Sequence, residues 1–540
     1  MANKNNAERM PELLTDLGNS TRLVRIFGRQ LRFCDPLGGW LVWDGKRWAV
    51  DDTNQARRYV DEVVLSLFDE AKAELDKAQR GITALQADTT ADGDARDHAM
   101  DALKLAFGKA KAKLSWALKS QHEARRAAML KGAEYRPSVV VRAGVFDADP
   151  WLLNVDNGTL DLKTGQLREH NRADMITKLA PVAYDPTATD EMLTKYLSDT
   201  TGGDADFGAY LRKSCGYSLT GSTQEEIFFL MLGPAATGKS TLVEAMLTML
   251  GDYGLKASFA AFLETRNAGG ATPEIARLRG ARMVAAVETS KGGRLNEPAI
   301  KELTGGDTVT ARNLYAAPFS FKPACKLWLA ANDAPRMTDT DTGLWRRLRR
   351  LPFEHELEIR DPEVKARLCA EAGPALLAWA VRGCLLWQRE GLTACDVVKA
   401  KTSELRATFD PLAEFFGEQC ITDRQAETPA LHLRLAYEQW AASMGARPIN
   451  DREWSQRLKA AGCERRRTMH QGQKVTVWAG IGLIADMSPE DPWMAADTHG
   501  HTKPPFAQTF SILKNPPHKR TLWEMALCVQ GVQGWKMRAK

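Results

Sequence analysis

Residues 233–240 read Gly-Pro-Ala-Ala-Thr-Gly-Lys-Ser, with the apolar run Ile227–Leu232 in front and the helix-like Thr241–Leu250 behind. A buried strand, a glycine turn and a helix N-terminus in that order bring backbone N–H groups and the helix dipole to one point, where phosphate oxygens are stabilised. The spacing therefore predicts an α/β core built around a nucleoside-triphosphate cradle. Gly233, Pro234, Ala235, Ala236, Thr237, Gly238, Lys239, Ser240 and Thr241 are its candidate residues. Lys239 reaches the β- and γ-phosphates, and Ser240 holds magnesium.

The reaction has to come from residues after the cradle. A second apolar run, Arg282–Val287, ends in Glu288. A carboxylate at the carboxyl end of a buried strand beside the cradle can polarise the attacking water or hold magnesium through its shell. A third run, Leu327–Ala331, ends in Asn332, whose amide can orient water against the γ-phosphate. Next come Arg346, Arg347, Arg349 and Arg350 within Leu344–Phe353, more guanidinium than a solvated strand face needs. A surface acid for Glu288 and a turn residue for Asn332 are the bland readings; this order behind a cradle favours the functional ones.

These blocks resemble the superfamily III helicases of the AAA+ class, of the phage and plasmid primase-helicase type related to the poxvirus replicative triphosphatase. The resemblance is carried by Gly233–Ser240, Arg282–Thr289, Ile300–Asp307, Ala311–Tyr315, Lys326–Pro335 and Trp345–Arg347. It implies a ring, usually hexameric, that hydrolyses ATP with Mg2+ at subunit interfaces and moves along DNA. It also implies Arg346 and Arg347 as fingers reaching a neighbour's nucleotide, with Arg349 and Arg350 pairing with lid acids instead. Many relatives carry two acids at the second block, whereas here Thr289 follows Glu288 and one carboxylate has to serve.

Thr308–Lys322 alternates β-branched and aromatic residues on both sides of Tyr-Ala-Ala-Pro, which predicts a hairpin. The resembling family projects such a hairpin into the ring channel. Arg312 and Lys322 are then phosphate contacts, Tyr315 a stacking surface, and Lys301 on the preceding helix a further DNA or interface contact. Ordinary edge-strand charge is the competing reading.

A chain of 540 residues holds several domains. Its 73 basic against 68 acidic residues leave any DNA-binding footprint local. Nine cysteines without a C-x-x-C pair argue for reduced thiols, and no run of eighteen apolar residues suggests a membrane span. The expectation is a cytoplasmic protein, in the host cell if phage-encoded. His499-Gly-His501 reads as polar loop before metal site.

Residues 1–220 form a mixed α+β accessory region: a hairpin over 33–48 with Trp40, Trp43 and Trp48 on one face, helix over 54–132 with a break at Thr89–Asp94, short strands over 151–186, and helix over 190–217. Asp147-Ala-Asp149 and Asp204-Ala-Asp206 lack a following S-x-H, so primase activity is not expected; a separate primase or polymerase would act alongside. Residues 221–400 are the motor, with the arginine block at the end of its last strand and a closing helix over 361–389 broken near Gly373-Pro374. Residues 410–483 read helix, helix, helix, hairpin, the order of a winged helix, with Arg465, Arg466 and Arg467 between helix and wing and Lys474 on it. Residues 484–540 are a proline-containing tail with a short helix over 523–529. Three functions fit: a replicative DNA helicase, a loader or remodeller without processive unwinding, and an origin-binding switch.

Overall fold

The computed structural model describes residues 13–87, 93–264, 273–288, 293–312, 319–337, 342–357, 362–409, 411–444, 448–470 and 473–484. The chain parts into two compact units, 1–410 and 411–540.

The first unit opens with α1 (Asp16–Phe27), whose N-cap Thr15 accepts a hydrogen bond from the Gly18 N–H. A three-stranded antiparallel sheet follows, β1 (Leu31–Cys34), β2 (Gly39–Trp43) and β3 (Trp48–Val50). The tryptophans divide between its faces, against expectation. Trp40 packs toward the α1 side with Leu23 and Val60, whereas Trp43 and Trp48 meet each other at 5.7 Å beside Phe146. Odd spacing between positions 40 and 43 reverses the side-chain direction on a strand.

Then come α2 (Gln55–Ala87), α3 (Gly93–Ser120) and α4 (Glu123–Ala133). Val60, Val63, Val64 and Leu67 are buried as their helical spacing predicts, and Lys113 of α3 bridges Glu70 and Glu74 of α2 at 3.1 and 2.8 Å. A second antiparallel sheet, β4 (Leu152–Val155), β5 (Gly158–Asp161) and β6 (Gln166–Arg168), leads into α5 (Glu191–Thr200) and α6 (Ala205–Ser218). Asp190 and Asp204 cap these two helices, accepting from the Leu193 and Phe207 N–H groups at 2.7 and 2.9 Å.

The segment that carries the cradle contains β7 (Phe228–Leu232), α7 (Lys239–Leu250), β8 (Gly254–Ser258), α8 (Pro273–Arg277), β9 (Met283–Val287), α9 (Glu297–Thr304), the hairpin β10 (Val309–Ala311) and β11 (Phe319–Phe321), β12 (Lys326–Ala331), α10 (Thr342–Trp345) and β13 (Leu348–Pro352). Five strands make one parallel sheet in the order β13-β7-β12-β9-β8. Both faces are covered, which is why β7 reads as an unbroken apolar run. Phe229 and Met231 enter one core with α5–α7, while Phe228, Leu230 and Leu232 enter the other with α9 and α10.

α11 (Pro362–Ala370) and α12 (Gly373–Glu390) show the break expected near Gly373; α13 (Asp396–Ala407), which was not expected, runs along β13. Packing has no break at residue 220: Leu153, Leu160, Tyr196 and Tyr210 share a core with Phe229, Trp328 and Leu377. Helices α6 and α12 cross closely because Gly216 and Gly383 have no side chain; a Cβ on Gly216 would collide with the Cys384 backbone, and one on Gly383 with the Arg212 carbonyl.

The second unit holds α14 (Pro411–Gln419), β14 (Cys420–Ile421), β15 (Glu427–Pro429), α15 (Ala430–Ser443), α16 (Asp451–Ala460), β16 (Glu464–His470), β17 (Gln473–Ala479) and β18 (Gly482–Leu483). The short strands β14, β15 and β18 were not expected. Arg465, Arg466 and Arg467 lie within β16 and not ahead of it, since the strand begins four residues earlier than its β-branched content implied. The expected turn residues Gln471 and Gly472, the histidines 499 and 501, and the tail beyond 484 lie outside the described residues.

Candidate nucleotide site

The cradle leaves β7 at its carboxyl end and enters α7. Gly233 has φ 157° and lies so close to Phe353 that a Cβ would collide with its carbonyl oxygen; Gly238, at φ 87°, begins the helix. Ala236 also lies in the left-handed region, at φ 64°, which costs a non-glycine residue about 1 kcal/mol or more. Hydrogen bonds from outside the loop help to hold it. The Leu357 N–H donates to the Ala236 carbonyl at 3.1 Å. The buried Tyr196 hydroxyl, from α5, donates to the Gly238 carbonyl at 2.7 Å.

Lys239 is only 7% exposed. Its Nζ donates to the Gly233 and Pro234 carbonyls, both at 2.6 Å, and to Thr237 Oγ1 at 3.2 Å. Burial pulls this ammonium below the ordinary lysine range. Its hydrogen bonds go to neutral oxygens of its own loop, which a phosphate can replace.

The parallel register brings the predicted chemistry to the same edge. Val287 pairs with Ala330, and Ala331 with Leu232, so Glu288, Asn332 and Gly233 each follow the end of one of three neighbouring strands. Glu288, half-buried, donates its backbone N–H to the Ala330 carbonyl at 2.8 Å. A cavity of about 290 Å3 is lined by Ala235–Thr241, Val287, Glu288, Ala330, Ala331 and Asn332. Strand ends of an α/β sheet are where such ligands bind.

Other predicted residues lie elsewhere. Arg346 and Arg347 precede β13 and Arg349 and Arg350 lie inside it, which corrects the expectation that the block stands at the end of a strand. The Phe228 N–H donates to the Arg347 carbonyl, whereas Phe353 N–H donates to Leu232 next to the cradle. Six residues at about 3.3 Å each place the first arginines roughly 20 Å from their own phosphate loop. Both bind Glu226, Arg346 at 3.1 Å and Arg347 at 2.9 Å. Of the two expected to meet lid acids, Arg350 pairs with Glu354 at 3.0 Å and Glu404 at 3.7 Å, while Arg349 binds the carbonyls of Arg346 and Leu348.

The hairpin β10–β11 forms as predicted, with exposed Arg312 at its tip end and exposed Lys322 at its base; it does not bring the two together. Tyr315 lies outside the described residues, and Lys301 is half-buried in the last turn of α9. Tyr196 and Glu226 have no motif to announce them; only the fold puts the first on the loop and the second on the arginines.

Residues 20–202 match the family model described as D5 N terminal like, and residues 231–350 match a family of unknown function, DUF5906. The chain is 28% identical over 299 residues, 51% of its length, to "Putative helicase L207/L206" of Acanthamoeba polyphaga mimivirus, covering 31% of that protein. It is 25% identical over 333 residues, 55% of its length, to "Putative primase C962R" of African swine fever virus isolate Tick/Malawi/Lil 20-1/1983, covering 34% of that protein. The chain thus spans about a third of these relatives. "The apo structure of NrS-1 C terminal region" covers 59% of this chain and 88% of its own at 14% identity, with a TM-score of 0.38, too low a likeness to carry weight.

Proposed function

We propose that the chain is the motor of an ATP-dependent replicative DNA helicase of superfamily III AAA+ type, from a phage, prophage or plasmid. The observation that carries this reading is the placement of Lys239, Glu288 and Asn332 around one cavity at the carboxyl ends of adjacent parallel strands. Lys239 exchanges its loop carbonyls for β- and γ-phosphate oxygens, joined by N–H groups at the start of α7. The Glu288 carboxylate polarises the attacking water, which the Asn332 amide orients. The Ser240 hydroxyl and Glu288 would hold Mg2+, which when bound neutralises charge on the transferring phosphoryl group.

The site is completed in trans within a hexameric ring. Arg346 supports this: it is 66% exposed and sits at the end of the sheet away from its own cradle. Both Asp-x-Asp pairs have structural work. Asp147 accepts from the Thr177 N–H, Asp149 from the Trp151 N–H, and Asp204 caps α6, which favours priming by a separate primase or polymerase. Residues 410–483 act as a winged helix, with Arg465, Arg466 and Arg467 exposed on the edge strand β16; Arg466 pairs with Glu427 at 3.4 Å, and Arg465 and Arg467 are available to phosphates. The names of the relatives support the replicative setting. The cytoplasm, that of the host cell if the chain is phage-encoded, is the proposed place of action.

The test is strand displacement on forked DNA and on matched RNA, with Lys239→Ala as control. ATP-dependent opening of the DNA fork, lost in the control, is the expected result. Hydrolysis without displacement would leave a loader or remodeller.

A further inference from the structure

A cavity of about 540 Å3 lies between the β5–β6 turn, α6 and α12, and shares no residue with the nucleotide cradle. Lys163, Arg212, Arg382 and Arg389 line it around an apolar floor of Leu385 and Leu386. The close crossing of α6 on α12 gathers these cations, and Gly165 packs on Leu385 to bring in the Lys163 turn.

Among the described residues none of the four side chains has a carboxylate partner, although the Lys163 backbone N–H donates to Asp161 Oδ1 at 2.8 Å. Arg382 donates to the Pro186 carbonyl, Lys163 lies 5.6 Å from the Trp151 ring, and Arg212 keeps a buried Nε with no hydrogen-bond partner. The nearest acid along α12, Glu390, binds Lys213 instead. Four like charges converging without compensation repel one another, and a bound polyanion removes that cost.

A second cavity, of about 290 Å3, adjoins through Arg212, which lines both, and presents half-buried Trp379 and Leu197. Asp204 also lines it, but its carboxylate is committed to the Phe207 N–H. Cations tracking a backbone beside an aromatic face are what a single strand of nucleic acid requires.

We propose that this α6–α12 groove is a binding site for single-stranded nucleic acid, its phosphates on Arg212, Arg382, Arg389 and Lys163 and a base against Trp379. The proposal rests on the replicative reading above and adds a strand contact outside the β10–β11 hairpin.

The test is fluorescence anisotropy of a labelled oligothymidylate over a salt series, with free ATP and dTTP as competitors. Each lost phosphate contact lowers the slope of log affinity against log salt by about 0.7 for a single strand. Arg212→Ala/Arg382→Ala/Arg389→Ala should reduce it by about two and weaken binding at least tenfold, with DNA-independent hydrolysis within about twofold of wild type. The exposed pair Arg382→Gln/Arg389→Gln, which leaves the helix crossing intact, should reduce it by about 1.4. Trp379→Leu should weaken binding with the slope unchanged. Wild-type slope and affinity in the exposed pair would overturn the groove and leave the helicase reading standing. Displacement of the strand by millimolar dTTP in a Lys239→Ala background would also overturn it, in favour of a free-nucleotide site. No strand binding by wild type would overturn both readings.

Discussion

Replacing Arg346 and Arg347 separately should separate hydrolysis from stability. The Arg347 side chain is only 10% exposed, donates to the Gly343 carbonyl at 3.1 Å and pairs with Glu226 at 2.9 Å. Glu226 is 44% exposed, so the ion pair itself contributes about 1 kcal/mol after screening. The charge-assisted bond to Gly343 adds about 1.5 kcal/mol or more, and the buried stem adds packing. Arg347→Ala should therefore destabilise the protein by about 2–4 kcal/mol. Glu226 itself sits at φ 50°, a strained conformation for a non-glycine residue, and losing its better partner removes part of what holds it there. The Arg346 side chain is 66% exposed and shares the same carboxylate at 3.1 Å, so Arg346→Ala should cost less than about 1 kcal/mol. Its expected defect is kinetic: ATP bound normally, hydrolysis down at least tenfold, and partial rescue on mixing with Lys239→Ala protein. Urea unfolding gives the first quantity; steady-state hydrolysis of each variant and of the mixture gives the second. Arg346→Ala protein hydrolysing at the wild-type rate would refute the assignment of Arg346 as the trans group. Arg347→Ala protein unfolding within about 0.5 kcal/mol of wild type would refute the packing argument.

Four further outcomes are expected. Lys239→Ala should abolish hydrolysis with the fold intact and Glu288→Gln should keep ATP bound without turnover, read by nucleotide titration and phosphate release; turnover in both would mean the chemistry lies elsewhere. Arg312→Ala/Lys322→Ala should lose unwinding and DNA-stimulated hydrolysis while basal hydrolysis stays, and full unwinding would move the DNA path to Lys301 or beyond. Tyr196→Phe removes the hydroxyl bound to the Gly238 carbonyl, which keeps the Leu242 N–H at 3.0 Å, so ATP affinity should fall only about fivefold, equivalent to about 1 kcal/mol; unchanged affinity in calorimetry would show that this bond does not shape the loop. Burial, with a smaller contribution from Arg282, pulls the Lys326 ammonium well below its ordinary 10.5, so on unfolding the chain takes up a proton between the folded value and 10.5 and stability rises with pH there. Wild type should thus gain on Lys326→Met as pH is raised toward 10.5, and parallel denaturation curves would contradict this.

The cradle, the strands ending in Glu288 and Asn332, the hairpin and the broken helix near Gly373 were legible because each is local: an apolar run, a glycine turn, a period of 3.6. What was not legible depended on pairing across the chain. No local pattern says that β13 runs beside β7 in parallel, and the arginines straddle the start of that strand where its end was expected. Trp40 and Trp43 share β2 but not a face, because an odd spacing on a strand reverses the side chain, and a count of aromatics in a hairpin does not reveal that parity. The start of β16 was missed because Glu464–Arg467 is charged throughout, which an edge strand tolerates and an interior strand does not. Tyr196 and the α6–α12 groove are products of tertiary packing alone.

The core that residues 151–217 share with the parallel sheet bears on where the chain can be cut. A fragment starting at 221, where the motifs invite a cut, would strip Tyr196 from the Gly238 carbonyl and Leu153, Leu160 and Tyr210 from the face of β7 that carries Phe229 and Met231. It would also strip partners from buried cations: Arg282 would lose the carbonyls of Leu152 and Leu219, and Lys326 would lose that of Thr220, keeping those of Ser222 and Ala324. Any self-sufficient minimal fragment that keeps the cradle intact has to begin ahead of Trp151, and swapping the upstream region for a foreign one has to carry β4–β6, α5 and α6 along with the parallel sheet.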